Sequence, residues 1–234
     1  MSYTQGYQPS RSDSMLIDLR RTDQILEINA EDMLVRVEAG GPWKKLFEAL
    51  QAANCRTPYF GPLSGMYATI GGALSQNSLF LGSGLYNTVA ESALGLKVVL
   101  ADGSVLQTGS AAHKNGNGFW RHFGPDMTGI VTADTGAFGI KAEATLRLIE
   151  APAVTLFMSF GFETLADRLE VQTILARIRS AACARYCAVR RVKCGCRFMV
   201  LCRCRKPLRW APRPRRTSRS IARRWQPTAS RVRI

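Results

Sequence analysis

The chain has 234 residues, 46% of them hydrophobic and 21% charged, and a formal net charge of +15. That length allows one or two domains and a sizeable core. No apolar run reaches the ~18 residues of a membrane-spanning helix, and no apolar secretory segment follows Met1, so a soluble, cytoplasmic protein is the expectation. The positive charge is local. All 17 acidic residues lie at or before Glu170, whereas residues 181–234 hold 15 Arg and two Lys; the +15 total less this +17 leaves residues 1–180 at −2. No nucleic-acid motif accompanies the cations, and charge runs of this kind mark disordered segments. Nucleic acid is therefore not an expected partner, although Trp210 and Trp225 among the cations keep phosphate binding with base stacking open as the alternative.

Taken in order, Met15–Leu19 reads as a strand. Ile25–Ile28 and Leu34–Val37, around Asn29-Ala-Glu-Asp, read as a hairpin whose apolar residues face a core. Gly40-Gly41-Pro42 breaks the strand, and Trp43, Leu46, Phe47 and Leu50 follow at helical spacing. Ala93–Leu106 holds two β-rich runs around Asp102-Gly103, a strong hairpin signal. Met127–Ala133 suggests a short helix with Asp126 as its cap. Ile140–Ile149 reads as a strand with Ala142, Ala144, Leu146 and Leu148 on one face, ended by Pro152. A strand over Val154–Phe160 and a helix over Thr164–Ile178 complete the pattern. Hairpins mixed with helices, without strict βαβ alternation, define an α+β class.

Between the first helix and the second hairpin lies Gly61–Gly84, with six glycines and no Lys, Arg, Asp or Glu. Glycine permits close backbone approach and positive φ. Neutral Ser, Thr, Asn and Gln offer adaptable hydrogen bonds, and successive N–H groups can cradle a pyrophosphate. A Gly/Ser-rich surface loop is the other reading of the same composition.

The remaining chemistry-bearing residues carry weaker signals. Six of the seven cysteines fall between Cys183 and Cys204. Only Cys183 and Cys187 have a zinc-like spacing and no His lies nearby, so no metal site is expected. A disulfide framework is disfavoured without a secretion signal. His113 and His122, candidates for a general base or a covalent cofactor anchor, have no paired acid or metal partner nearby and read as ordinary loop and helix-end residues. Cys55 reads as a small buried apolar residue, and Asp102 as a turn residue.

The order of motifs resembles a known family. Val37-Glu-Ala-Gly40 with Trp43 beyond it is followed by Pro62-x-Ser64 and Thr69-Ile-Gly-Gly72. Gly95-Leu-Lys-Val-Val-Leu-Ala-Asp-Gly103, Gly124-Pro-Asp126 and Gly136-x-x-Gly139-Ile140 with Ala144-Thr-Leu-Arg-Leu148 come next. Over residues 2–165 this resembles the flavin domain of FAD-linked oxidases of the vanillyl-alcohol oxidase / p-cresol methylhydroxylase type, in the glycolate oxidase subunit and D-lactate dehydrogenase branch. The resemblance implies FAD extended between two α+β subdomains, under a separate cap domain that holds a hydroxy-acid substrate. It places Pro62, Leu63, Ser64, Gly65, Thr69, Ile70, Gly71 and Gly72 along the pyrophosphate and flavin. Ser75, Gln76 and Asn77 continue that wall, and Gly136, Gly139 and Ile140 meet the adenosine end through backbone atoms.

Two departures from the family pattern shape the expectations. The family's first phosphate loop is glycine-rich and precedes the strand corresponding to Met15–Leu19; here Ser2 stands as its last counterpart. Residues 1–150 are therefore expected as a flavin domain lacking its first part, and 151–180 as the start of a cap. Residues 181–234 are expected as a disordered Arg/Cys-rich tail arising from a reading-frame shift, checked by looking for a cap sequence in another frame of the gene. The expected protein is an FAD-dependent oxidoreductase fragment with impaired or no turnover and no assignable catalytic residue. The alternative is a non-enzymatic remnant that associates with a partner fragment or nucleic acid.

Overall fold

The computed structural model describes residues 8–9, 11–59, 64–80, 82–152, 154–162, 164–166, 169–170, 173, 181–190 and 193–202. The elements are strands β1 (Ile25–Asn29) and β2 (Leu34–Glu38), helix α1 (Trp43–Ala52), strand β3 (Cys55–Arg56), and helices α2 (Ile70–Ser75) and α3 (Ser83–Tyr86). Strands β4 (Ala93–Val99) and β5 (Val105–Gln107), helix α4 (Met127–Ile130), and strands β6 (Ile140–Arg147), β7 (Ile149–Glu150) and β8 (Val154–Phe162) follow. Strands β9 (Ala181–Arg190) and β10 (Lys193–Cys202) are the last elements among the described residues.

The main sheet is five-stranded and antiparallel in the order β1-β2-β6-β4-β5. Its inner face supplies Val35, Val37, Leu96, Val98, Ala144 and Leu146, which join Trp43, Leu46 and Leu50 of α1 and Ile70 and Leu74 of α2 in one core. This is the expected α+β layering, helices over one face of an antiparallel sheet. On the other face Lys97 stands opposite Glu143 and pairs with it at 2.8 Å.

The first hairpin, the helix after Pro42 and the Asp102-Gly103 turn lie where the sequence places them. The turn is set by Gly103 at φ +83° and by the Ser104 N–H donating to Asp102 Oδ1 at 2.9 Å. Cys55 is buried. Met15–Leu19, by contrast, is not a strand. Met15 and Leu16 are 85% and 69% exposed, and among the described residues no strand pairs with the segment. A single extended segment without a ladder gains too little to count as sheet. The run Ile140–Ile149 divides at Leu148, whose N–H donates to Met33 O at 2.6 Å, and β7 then pairs with β3. The helix expected over Met127–Ala133 stops at Ile130.

Further along, Leu165, Ala166, Leu169, Glu170 and Thr173 are helical, and the rest of the expected Thr164–Ile178 helix lies outside the described residues. Residues 181–202, placed by sequence in a disordered tail, contain β9 and β10, which extend β8 into an antiparallel sheet of order β8-β10-β9. Val, Tyr, Phe and Cys there favour a pleated strand, a local preference that the count of cations conceals. Residues 203–234 lie outside the described residues.

Two features of the loop before β6 carry testable consequences. Asp126 caps α4, accepting from Gly129 N at 2.9 Å, and the Arg121 guanidinium grips the same carboxylate through Nε and Nη2 while Nη1 donates to Ala90 O at 2.7 Å. The Arg121 hydrogen bond first, and the Gly129 N–H with it, hold the Asp126 carboxyl below the usual range. A depressed folded-state value contributes stability above the unfolded value of about 3.9 that disappears as pH falls through the folded one. Asp126→Asn is therefore expected to flatten the loss of stability below about pH 4, read by urea unfolding across an acid series. Ala133 adopts φ +58°, a region that costs an L-residue about 1–2 kcal/mol. Ala133→Gly is expected to raise stability by about 1 kcal/mol, seen as a higher urea midpoint.

Candidate functional site

The glycine-rich stretch is not a free loop. Residues 64–67 form a turn, with Tyr67 N and Ala68 N both donating to Ser64 O at 2.9 Å. Its carbonyls then close the start of α1: Trp43 N donates to Ala68 O at 3.1 Å and Lys44 N to Gly65 O at 3.0 Å. These are the N–H groups a helix leaves unpaired at its start, so an anion finds them already occupied.

Helix α2 follows at once, capped by Thr69, whose Oγ1 accepts from Gly72 N at 3.2 Å. Ile70 N donates to Gly41 O at 3.0 Å and Gly71 N to Ala39 O at 2.7 Å. The N–H groups of Ile70, Gly71 and Gly72, candidates for a phosphate cradle, thus bond within the protein. Gly71 serves packing: a Cβ there would lie 2.9 Å from the Ala39 Cβ. Gly72 faces outward and is exposed, and a Cβ on it would meet only Thr69 Oγ1, at 3.0 Å.

The far end of α2 is also fixed. Asn77, at φ +45°, donates to Leu74 O at 3.2 Å, and Ser78 N donates to Ala73 O at 3.0 Å. That pair of bonds is a Schellman cap, so Asn77 ends the helix. Its Oδ1 also accepts from Ala90 N at 3.4 Å. Gln76 N bonds to Gly72 O at 3.1 Å. Ala133 N and Thr135 N donate to Leu74 O and Ser75 O, each at 3.0 Å. These last two bonds bring the two separated candidate segments together, setting Gly136 one residue beyond a direct contact with Ser75. Gly136 is exposed at φ +88° with nothing within 4 Å of its Cβ direction. Gly139, at φ +148°, passes so close to β4 that a Cβ would lie 2.7 Å from Val98 Cγ1. Ile140 opens β6 opposite Val99. Ser2, Pro62 and Leu63 lie outside the described residues.

Sequence reading missed Asp134 and Lys141. Lys141 Nζ lies 2.7 Å from Asp134 Oδ1, with side chains 3% and 1% exposed. The same carboxylate accepts from Gly136 N at 3.0 Å and Phe138 N at 3.4 Å. Lys141 reaches the core face because of an irregularity in β6. Leu96 pairs with Ala144 but Val98 pairs with Lys141, so one extra residue sits between the two pairs. Such a bulge reverses which side chains face inward. Arg56 is a third buried charge; burial lowers its pKa against an opposing hydrogen bond to Tyr86. Tyr59, 1% exposed, donates to Tyr86 O at 2.7 Å and Thr88 O at 2.5 Å, and burial pushes its pKa up. His113 stacks edge-on near Phe123 at 6.1 Å, and both histidines are exposed. Among the described residues no cluster of metal-ligating side chains occurs, and no helix is long and apolar enough to cross a membrane.

The surface so assembled is uncharged along residues 64–84 and open at Gly72 and Gly136. Apolar Met66, Tyr67, Leu79 and Phe138, each more than half exposed, stand beside these segments in sequence. Buried Trp43 Nε1 has no acceptor among the described residues. Neutral polar side chains, close backbone access and apolar side chains suit a flat, extended nucleotide cofactor.

Comparison with known proteins relates this domain to FAD-binding oxidoreductases. Residues 1–109 match the family described as FAD binding domain. The chain is 30% identical over 168 residues to the mitochondrial D-lactate dehydrogenase (cytochrome) of Arabidopsis thaliana, covering 71% of this chain and 28% of that protein. It is 29% identical over 147 residues to glycolate oxidase subunit GlcD of Bacillus subtilis, covering 63% and 30%. A solved structure of alkyldihydroxyacetonephosphate synthase superposes with a TM-score of 0.60 at 21% identity, over 72% of this chain and 29% of that one, which shows the fold alone. The chain spans less than a third of the length of each of these proteins. It carries a p-cresol methylhydroxylase-type FAD-binding domain, related to the glycolate oxidase and D-lactate dehydrogenase family, and its cofactor is FAD.

The two neighbouring glycines of α2 should separate packing from ligand access. Gly71→Ala is expected to cost about 1–3 kcal/mol by overpacking against Ala39. Gly72→Ala should change stability by less than about 1 kcal/mol, since Ala gains helix propensity and meets a single side-chain atom. Thermal unfolding of the two variants side by side checks the contrast.

Proposed function

We propose that this chain is the flavin-holding part of an oxidoreductase that acts on a hydroxy acid or related alcohol, in the glycolate oxidase and D-lactate dehydrogenase branch. The observation that carries the proposal is the junction of α2 with the 133–139 loop through Thr135 N and Ser75 O, which unites two separated glycine-bearing segments on one uncharged surface. FAD supplies the hydride acceptor when bound. The residues proposed to hold it are Ser64 and Gly65 in the turn before α2, Gly72 and Ser75 of α2, and Gly136 with neighbouring backbone at the nucleotide end. Gly71, Asn77 and Gly139 act behind them, fixing the helix and the loop.

Substrate identity is proposed from relatives: one is a D-lactate dehydrogenase, another a glycolate oxidase subunit and a third a D-2-hydroxyglutarate dehydrogenase. We further propose that the chain by itself binds FAD reversibly and does not turn over. Met66, Tyr67, Leu79 and Phe138 are 59%, 81%, 76% and 58% exposed, so the described residues of this surface form no water-excluded site of the kind hydride chemistry uses.

The test is titration of the purified chain with FAD, followed by flavin fluorescence and by the visible spectrum after gel filtration. Quenched fluorescence on mixing, with flavin lost on the column and no bleaching by D-lactate or glycolate, is the expected result. Flavin that stays bound and is bleached by a hydroxy acid would overturn the claim of no turnover; fluorescence unchanged by the chain would overturn the cofactor site.

A further inference from the structure

The geometry points to Asp134 and Lys141 as a positioning pair for FAD: a buried carboxylate, neutralised by a buried lysine, holds the 135–138 backbone in the shape that meets the nucleotide. The inference rests on the proposed cofactor surface and names residues that the motifs there do not include.

Four observations carry it. First, the pair is almost wholly removed from water, at 3% and 1% side-chain exposure with a contact of 2.7 Å. A buried charge is retained only where it is paired and its remaining lone pairs are used. Second, those lone pairs are spent on the loop, on Gly136 N at 3.0 Å and Phe138 N at 3.4 Å, while Asp134 O accepts from Ala137 N at 2.9 Å. One residue therefore anchors three consecutive backbone N–H groups. Third, the loop is unfavourable on its own at two non-glycine positions, Ala133 at φ +58° and Thr135 at φ +53°. Left-handed positions of this kind persist where surrounding bonds over-determine them. Fourth, residues 135–138 are all exposed, although their anchor is buried. The pair thus invests a buried ion pair in the shape of a solvent-facing segment beside Ser75, which packing of the core does not require.

Preorganisation raises affinity by removing the ordering cost at binding. Two double substitutions in the full chain separate that role from simple structural support, since each removes both charges and leaves no lone buried ion. Asp134→Asn with Lys141→Met keeps a side-chain oxygen to accept from Gly136 N. Asp134→Ala with Lys141→Met keeps none. Both are measured for thermal unfolding, for amide exchange at Gly136 with core amides such as Val35 and Leu146 as reference, and for FAD affinity by fluorescence quenching.

The expected result is protected core amides in both variants. In the Ala variant, Gly136 exchange should be about tenfold faster and FAD about tenfold weaker, whereas the Asn variant should stay within about threefold of the parent. An Ala variant that binds FAD as the parent does, or keeps Gly136 protected, overturns the proposal. So does an affinity that falls equally in both variants in step with their unfolding temperatures, which marks the pair as structural support. A parent chain that takes up no FAD overturns the inference together with the cofactor reading beneath it, and is told apart because the loss then precedes any substitution.

Discussion

The close approach of α2 to the end of β2 sets the geometry of everything around it. Gly71 N donates to Ala39 O at 2.7 Å, a distance that only a residue without a side chain permits here. From that contact Ile70 and Leu74 reach the core beside Trp43 and Leu46. The 64–68 turn is carried to the start of α1, and the 133–135 segment finds the carbonyls of Leu74 and Ser75. A six-residue helix containing two glycines has little intrinsic tendency to form. Tertiary bonds at both ends make it the rigid centre of the site.

The parts of the fold legible in the sequence were those decided locally. The β1–β2 hairpin, the periodicity of α1, the Asp102-Gly103 turn and the Asp126 cap each depend on residues within a few positions of one another, and each forms as read. What was not legible depended on distant partners. Helix α2 was hidden because glycine and serine favour loops, and nothing in the local sequence announces the Ala39 carbonyl that holds it. The period-two pattern of β6 put Ala142 on the inner face, and the bulge put Lys141 there instead. Asn77, which the resemblance places along the flavin, also ends α2 with a left-handed backbone, a role its residue type alone does not announce. Met15–Leu19 has the composition of a strand and, among the described residues, no strand beside it.

The distribution of charge follows the same logic. Along α2 and the turn before it the protein offers no formal charge, and the first N–H groups of α1 and α2 are spent on protein oxygens. Asp134 and Lys141 are held inward, where they shape backbone without presenting charge to solvent. A pyrophosphate beside this surface would be met by neutral dipoles and hydroxyls from this side.

The carbonyls of Gly65 and Ala68, seated on the first turn of α1, have one more consequence. They tie the number of residues in a surface turn to the integrity of a helix more than twenty positions upstream. An insertion between Ser64 and Thr69 would be registered first as fraying at Trp43, with the indole drawn out of its place against Phe80, where the rings now meet edge to face at 5.2 Å. A turn that looks free to drift in length is thereby kept to count by a helix it does not adjoin in sequence.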